Sequence, residues 1–262
     1  MPATDLPLLI DTARTAGRVA TSFTGPAAAR WDKPEGAGPV TEADLAVNNV
    51  LETNLRLARP DYGWLSEETE DDSGRLGADK VFIIDPIDGT RSFVEGARTW
   101  AISIAVAQQG RITAAAIYLP LRDKLYAAGL GLGATLNGSQ LSTSNAAMTP
   151  GSRVLAARPN FDDRHWRSGP PPVDRHYRPS LAYRLSLVGE GKFDGMLTLR
   201  DSWEWDIAAG ALIVTEAGGR VTDRNGEELR FNNPHPALNG VVAAGDPMHG
   251  ALVGQLEPVK TG

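Results

Sequence analysis

The sequence predicts a globular protein of mixed α/β or α+β class, and three observations predict it. Of its 262 residues, 42% are hydrophobic and 22% charged, with 28 glycines and 18 prolines, a balance foreign to disordered or fibrous chains. Helix-period and strand-period apolar patterns both occur along the chain, separated by turn signals such as Asn137-Gly138. Finally, the four apolar residues Val81-Phe82-Ile83-Ile84 stop abruptly at Asp85-Pro86, as a buried strand does at its end.

The elements follow in order. Leu6, Leu9, Ile10, Ala13, Ala16, Ala20 and Phe23 recur at helical spacing, so the first element is an amphipathic helix capped by Thr4 or Asp5. Beyond a Pro/Gly-rich link, Thr41 and Asp44 have capping-box spacing ahead of Val47, Val50, Leu51, Leu55 and Ala58, and this second helix should stop before Pro60. Residues 62–68 read as a short strand running into the acidic Glu67-Glu68, and residues 81–84 as a buried strand ending at Asp85. Strands at 101–107, 112–119 and 124–128, then the turn at Asn137-Gly138, predict an antiparallel meander.

After Pro150 the pattern alternates: strand 154–157, helix 180–190, strand 195–199 and helix 205–217, closed by Gly218-Gly219. A hairpin at Asn225-Gly226, a strand at 240–244 and a helix from 247 to about 256 finish the chain. The change divides it into an N-terminal half, 1–150, and a C-terminal half, 151–262, expected to pack as one globular unit. Residues 160–179, rich in Pro, Arg and His, are expected to form an exposed excursion.

Composition also bounds function. The net charge of −6 argues against a nucleic-acid polymer as partner, because such binders present a basic surface to the phosphate backbone. With no cysteine there is no disulfide, no thiolate zinc site and no cysteine nucleophile, which fits a reducing compartment. The opening MPATDLPLLIDTARTAG lacks the basic flank and apolar core of a signal peptide, and no run approaches the roughly 20 apolar residues of a membrane span. A soluble, cytoplasmic protein with no membrane partner is the expectation.

Asp85 and Asp88 bracket a proline whose ring fixes one backbone angle, so both carboxylates can turn toward one point. Two carboxylates that close repel unless a cation lies between them; Mg²⁺ favours such oxygen ligands, and the Ile87 carbonyl is a further donor. An ordinary strand-end turn using Asp88-Gly89 is the competing reading. The acidic pair Glu67-Glu68 and Asp206, near the start of a predicted helix, supply more carboxylates of the kind a two- or three-metal cluster needs. Other motifs are weak. Gly129-Leu130-Gly131-Leu132-Gly133 lies between strand-like segments and lacks a P-loop lysine, and the four histidines show no zinc-protease spacing.

DPIDGTRSFVEG, with PVTEAD and SEET upstream and WDIAAGALIVTEAGG downstream, resembles the inositol monophosphatase family of Mg²⁺-dependent, lithium-sensitive phosphomonoesterases. The resemblance implies a layered αβαβα sandwich and hydrolysis of a small phosphorylated metabolite by metal-activated water. It places Glu67, Asp85 and the Ile87 carbonyl on a first metal, Asp85, Asp88 and Asp206 on a second, and a weaker third near Glu67. Thr90 and Glu67 would orient the attacking water, Asp44 would support Thr90, and Gly89 and Thr90 would hold the phosphate at a helix N-terminus. Lys33 falls in the loop that moves in the family, and a homodimer is a common family state.

Inositol-handling relatives carry a Glu seven residues before the ligand Asp, where this chain has Leu199 followed by Arg200. Glu204-Trp205-Asp206 is similar to relatives acting on 3′(2′),5′-bisphosphonucleosides, in which case Arg178, Arg184 or Arg200 would hold a second phosphate or else pair with surface acids. Arg91-Ser92-Phe93 resembles bacterial histidinol-phosphate phosphatases. A metal-binding regulatory relative without catalysis is the reading from a different class. Trp205 fits the family's structural Trp; Trp203 is read as a substrate wall or as core.

Overall fold

The computed structural model describes residues 5–23, 25–32 and 39–259. The N-terminal elements are α1 (Asp5–Ser22), β1 (Arg30–Asp32), β2 (Pro39–Thr41), α2 (Glu42–Ala58), β3 (Gly63–Ser66), β4 (Lys80–Asp88) and the short α3 (Thr90–Val94). Next come β5 (Ala101–Gln108), β6 (Arg111–Leu119), β7 (Lys124–Gly129), β8 (Gly133–Leu136) and β9 (Ser139–Gln140). The chain continues through β10 (Arg153–Leu155), β11 (Asp174–His176), α4 (Leu181–Gly189), β12 (Gly195–Thr198), β13 (Ser202–Trp203) and α5 (Glu204–Glu216). It ends with β14 (Arg220–Thr222), β15 (Ala237–Leu238), β16 (Val241–Ala244) and α6 (Asp246–Gln255). Among the described residues no helix is long and apolar enough to cross a membrane.

Two large sheets and three helical layers alternate, with two-stranded pairs β1-β2 and β13-β15 beside them. The first sheet runs β3-β4-β5-β6-β7-β8-β9 and is antiparallel except where β3 pairs with β4. The second runs β11-β10-β12-β16-β14 and is mixed. Period two assigns each residue of β4 to a layer: Phe82 and Ile84 pack with α1 and α2, whereas Val81 and Ile83 face α4 and α5. Both faces of the sheet are covered, which is why Val81-Phe82-Ile83-Ile84 is apolar without a break. Met248 and Leu252 of α6 close the far face of the second sheet against Val154, Leu197 and Val242.

The middle layer explains the composition of its helices. Every residue of α4 is buried, and α5 buries Ile207 through Val214, because both helices lie between two sheets and have no solvent face to keep polar. Close approach requires a small residue at their contact. A Cβ on Gly210 would lie 2.5 Å from the Leu185 side chain of α4. We therefore expect Gly210→Ala to destabilise by about 1–3 kcal/mol despite alanine's better helix propensity. A urea titration checks this, and a stabilised variant would mean that the two helices move apart without cost.

The capping box is present as read: the Thr41 side chain accepts from Asp44 N and the Asp44 carboxylate accepts from Thr41 N. The meander at 101–140 is also present, with Asn137 and Gly138 both at positive φ between β8 and β9. Asp5 is the first residue of α1, where it pairs with Arg59 and Lys80 (both 3.0 Å); Thr4 and Lys33 lie outside the described residues. Two expectations need correction. The strand predicted to end at Asp85 continues through Asp88. Residues 160–179 are not a free excursion, because β11 extends the second sheet and Trp166 is buried there, its Nε1 donating to Asn160 O at 2.9 Å.

Candidate active site

In a regular strand Asp85 and Asp88, three residues apart, would point to opposite faces. Between them β4 slips by one residue against β5, pairing Asp85 with Ser103 but Asp88 with Ala101. This bulge restores both carboxylates to one side. The Ile87 N–H then donates back to Asp85 Oδ1 at 2.9 Å, which fixes the loop between them. Gly89 follows at φ 98°, a conformation that a side chain would strain, and turns the chain into α3.

The third carboxylate comes from the other end of the sequence. Asp206 sits in the first turn of α5, and ligand oxygens of Asp85, Asp88 and Asp206 all lie within 4.8 Å of one another. Ser103 Oγ of β5 donates to Trp205 O at 3.1 Å, tying α5 to the strand beside the bulge. The start of α5 is anchored more firmly by Glu204, wholly buried, whose carboxylate accepts from Asn232 N at 2.6 Å, Asn233 N at 2.9 Å and Asn233 Nδ2 at 2.7 Å. Arg75, also buried, donates to Asn232 Oδ1 and Asn233 O and so clamps the same loop.

Around the cluster, Thr90 Oγ1 lies 3.2 Å from both Asp44 Oδ1 and the Ile87 carbonyl, and Asp44 is itself held by Thr41. Asp88 Oδ2 accepts from Ser180 Oγ and from the Ala182 N–H, each at 2.6 Å, at the N-terminus of α4. Glu67 directly follows β3, half-buried, and its charge acts on Asp85, Asp88 and Asp206. The expected set of Glu67, Asp85, Asp88 and Asp206, with Thr90 and Asp44 beside it, is thus brought to one place.

Crowding of like charges shows in the acidities. Burial, then Glu67 and Asp88, pushes the Asp85 carboxyl well above the usual carboxylate range. Burial, then Asp88 and Glu67, does the same to Asp206. Asp88 is raised by burial to about 6, less than its surroundings would otherwise impose, because Ser180, the Ala182 N–H and Arg184 favour its charged form. A buried, all-oxygen donor set whose members resist ionisation together is the set that a hard divalent cation stabilises, so these residues fit such an ion.

Arg184 and Arg200 line a cleft of about 740 Å³ that also takes in Arg91, Thr198 and Leu199. Arg178 instead lies over the Phe193 ring (5.8 Å to its centroid). Trp203 is 42% exposed and stacks on Trp205 at 4.9 Å between ring centroids, so it is neither core nor part of this cleft. Sequence reasoning missed the roles of Ser180 and Glu204. Ser180 was read only as the first residue of the helix 180–190, whereas it caps a helix that starts at Leu181, and nothing local told that its hydroxyl reaches Asp88.

Five layers and a cluster of carboxylates at a bulged strand end define the class to which the molecule belongs. Residues 4–260 match the Inositol monophosphatase family, and the chain is a member of it. It is 38% identical to an inositol-1-monophosphatase of Rhizobium meliloti over 198 residues, 71% of this chain and 73% of that one. With the Escherichia coli K12 protein named Nus factor SuhB it shares 31% identity over 252 residues, 92% of this chain and 91% of that one. Among solved structures it is similar to the extragenic suppressor protein suhB of Bartonella henselae, with a TM-score of 0.81 and 27% identity over 95% of this chain and 97% of that one. The Thermotoga maritima IMPase gives a TM-score of 0.80 and 26% identity over 97% and 96%.

Proposed function

We propose that the protein hydrolyses a small phosphate monoester with the help of divalent cations, Mg²⁺ by the hardness of the ligands. The observation that carries this reading is the convergence of Asp85, Asp88 and Asp206 within 4.8 Å, in a chain of this family. Those three, with Glu67 and the Ile87 carbonyl, would hold the ions. Bound there, they would supply Lewis acidity and neutralise phosphoryl charge.

The chain's own groups position the reactants. The Thr90 hydroxyl donates to Asp44 or to the Ile87 carbonyl, which leaves its oxygen lone pairs to accept from a water; Glu67 is the second acceptor for that water. Backbone N–H groups of Gly89 and Thr90 hold the phosphate, and attack is in line with the leaving oxygen. No covalent phosphoenzyme is needed. Relatives named inositol-1-monophosphatase support an inositol phosphate as substrate, whereas Leu199 offers no polar grip on a ring hydroxyl. A 3′(2′),5′-bisphosphonucleoside and histidinol phosphate are the alternatives. The relatives named Nus factor SuhB favour a second reading, a protein that works by binding a partner.

Phosphate release with Mg²⁺ from inositol 1-phosphate, adenosine 3′,5′-bisphosphate and histidinol phosphate separates these. We expect release from at least one ester, abolished by a chelator and restored by added Mg²⁺. Silence with all three sinks the hydrolase and leaves the partner-binding protein.

A further inference from the structure

We infer that residues 257–259 form a strap across the far end of the cleft, latched by Asn225, and that this strap limits the length of the ester the cleft accepts. This inference rests on the proposed hydrolysis and adds to it a determinant of substrate size.

The cleft has two ends. At one, Arg91 follows Thr90, and Leu181 stands between Ser180 and Ala182, which bond Asp88, so this end opens on the carboxylate cluster. At the other, the lining residues bond among themselves: Glu257 N donates to His165 O at 2.9 Å, and Arg224 Nη2 lies 3.4 Å from His165 Nδ1. Leu199 joins the two, its carbonyl accepting from Arg224 Nη1 at 2.8 Å. A phosphate held at the cluster therefore sends its leaving group along the cleft toward residues 257–259.

The anchorage of this segment in the core ends at Leu256. That residue is buried, bridges to Trp166, and accepts on its carbonyl from Arg167 Nε at 3.0 Å. Glu257, Pro258 and Val259 are all exposed, so apolar burial does not hold them over the cleft. Their backbone does. Glu257 N is bound to His165, Pro258 has no N–H to satisfy, and Val259 meets the Asn225 amide twice: its N donates to Oδ1 and its O accepts from Nδ2, both at 3.0 Å. The strap is thus tied to one wall through His165 and to the other through Asn225, the neighbour of Arg224. The latch itself is rigid, because Asp223 Oδ1 accepts from the N–H groups of Asn225 and Glu227 at 2.8 Å and fixes the turn. Exposed hydrogen bonds with no apolar burial behind them open first in a fold, so the strap swings from Leu256 onward while α6 stays docked. A short leaving group fits beneath the latched strap. A long one binds only the fraction of molecules in which it is open, and its apparent affinity is reduced by that fraction.

The test uses two 5′-phosphate esters with the same kind of leaving oxygen and different lengths, ribose 5-phosphate and adenosine 5′-monophosphate. Asn225→Ala removes both latch bonds from a residue outside the cleft lining. We expect kcat/KM for the adenosine ester to rise about tenfold through KM, the scale of exposed hydrogen bonds lost, with ribose 5-phosphate within about twofold of wild type. Val259→Pro, which deletes the donor from the strap side, should raise the same ratio. Hydrogen exchange gives a reading that needs no catalysis. The Glu257 amide, which bonds His165 and not Asn225, should exchange faster in Asn225→Ala, whereas the Leu256 amide, bonded to Val253 O at 3.1 Å, should not. An unchanged ratio, an unmoved Glu257 amide, or a fall for both esters together overturns the inference and leaves hydrolysis standing. Release from neither ester counts against the proposed reaction instead. Titration calorimetry with adenosine 5′-monophosphate then decides for the strap: binding that tightens about tenfold in Asn225→Ala supports it, and unchanged binding or no heat of binding refutes it.

Discussion

Asp88→Asn should cut Mg²⁺-dependent phosphate release by about 10²–10³-fold, the scale of losing one preorganised electrostatic contact. The same variant should be more stable than the wild type in metal-free buffer at pH 8. Both expectations come from the carboxylate crowding. Burial raises Asp88 from 3.8 to about 6, so the folded chain holds a proton that the unfolded chain releases. Stability from that proton is fully present below about pH 4 and is lost as pH rises through about 6. A displacement of about two units corresponds to about 3 kcal/mol. Asp85 and Asp206 are displaced in the same direction, so the metal-free wild type should melt at a lower temperature at pH 8 than at pH 5. Mg²⁺ should recover much of that fall. An amide at position 88 keeps an oxygen for Ser180 and Ala182 while removing one charge, so part of the pH dependence and part of the recovery disappear together. Melting curves at both pH values, with chelator and with Mg²⁺, check this. A variant that Mg²⁺ stabilises as fully as wild type would show that Asp88 is not a ligand.

The largest loss of stability is expected at Glu204. Truncation by Glu204→Ala leaves the N–H groups of Asn232 and Asn233 and the Asn233 amide without their acceptor, and deprives Arg75 of a nearby counter-charge. Removing one member of such a buried network costs about 3–5 kcal/mol. Glu204→Gln should lose less, because its carbonyl oxygen still accepts, although its amide hydrogens then face donors. Activity should fall with Glu204→Ala even under conditions where the variant is folded, since Asp206 lies two residues further along the same helical turn. Urea midpoints and phosphate release measured side by side test both halves. A loss under about 1 kcal/mol would mean that water replaces the carboxylate at no great cost.

Much of this was legible where the signal is local. Thr41 and Asp44 announce a helix start by their spacing alone, and Val81-Phe82-Ile83-Ile84 announces a strand covered on both faces. The clustering of Asp85 and Asp88 was read from Pro86 and from the resemblance. The feature that makes it possible is a register slip against β5, and a slip belongs to two strands at once, so neither sequence states it. Ser180 was visible as the start of a helix but not as a partner of Asp88, because that contact crosses from α4 to β4. Residues 160–179 misled by composition. Most of their charges do meet solvent, while the single Trp166 and Asn160, whose side chain bonds Leu197 O and Leu199 N, fix the segment to the second sheet.

The placement of α5 between the sheets has a consequence for how the molecule comes into being. During synthesis the whole first sheet, with Asp85 and Asp88, emerges well before Asp206. Until α5 arrives, the two aspartates and Glu67 lack Asp206, and the apolar face of β4 to β7 that α5 will cover is bare. An incomplete chain is thus both unable to assemble its cluster and exposed to sticking to others. Asp206 and the apolar residues from Ile207 to Val214 then arrive on one helix, so the step that shields the sheet is also the step that completes the cluster.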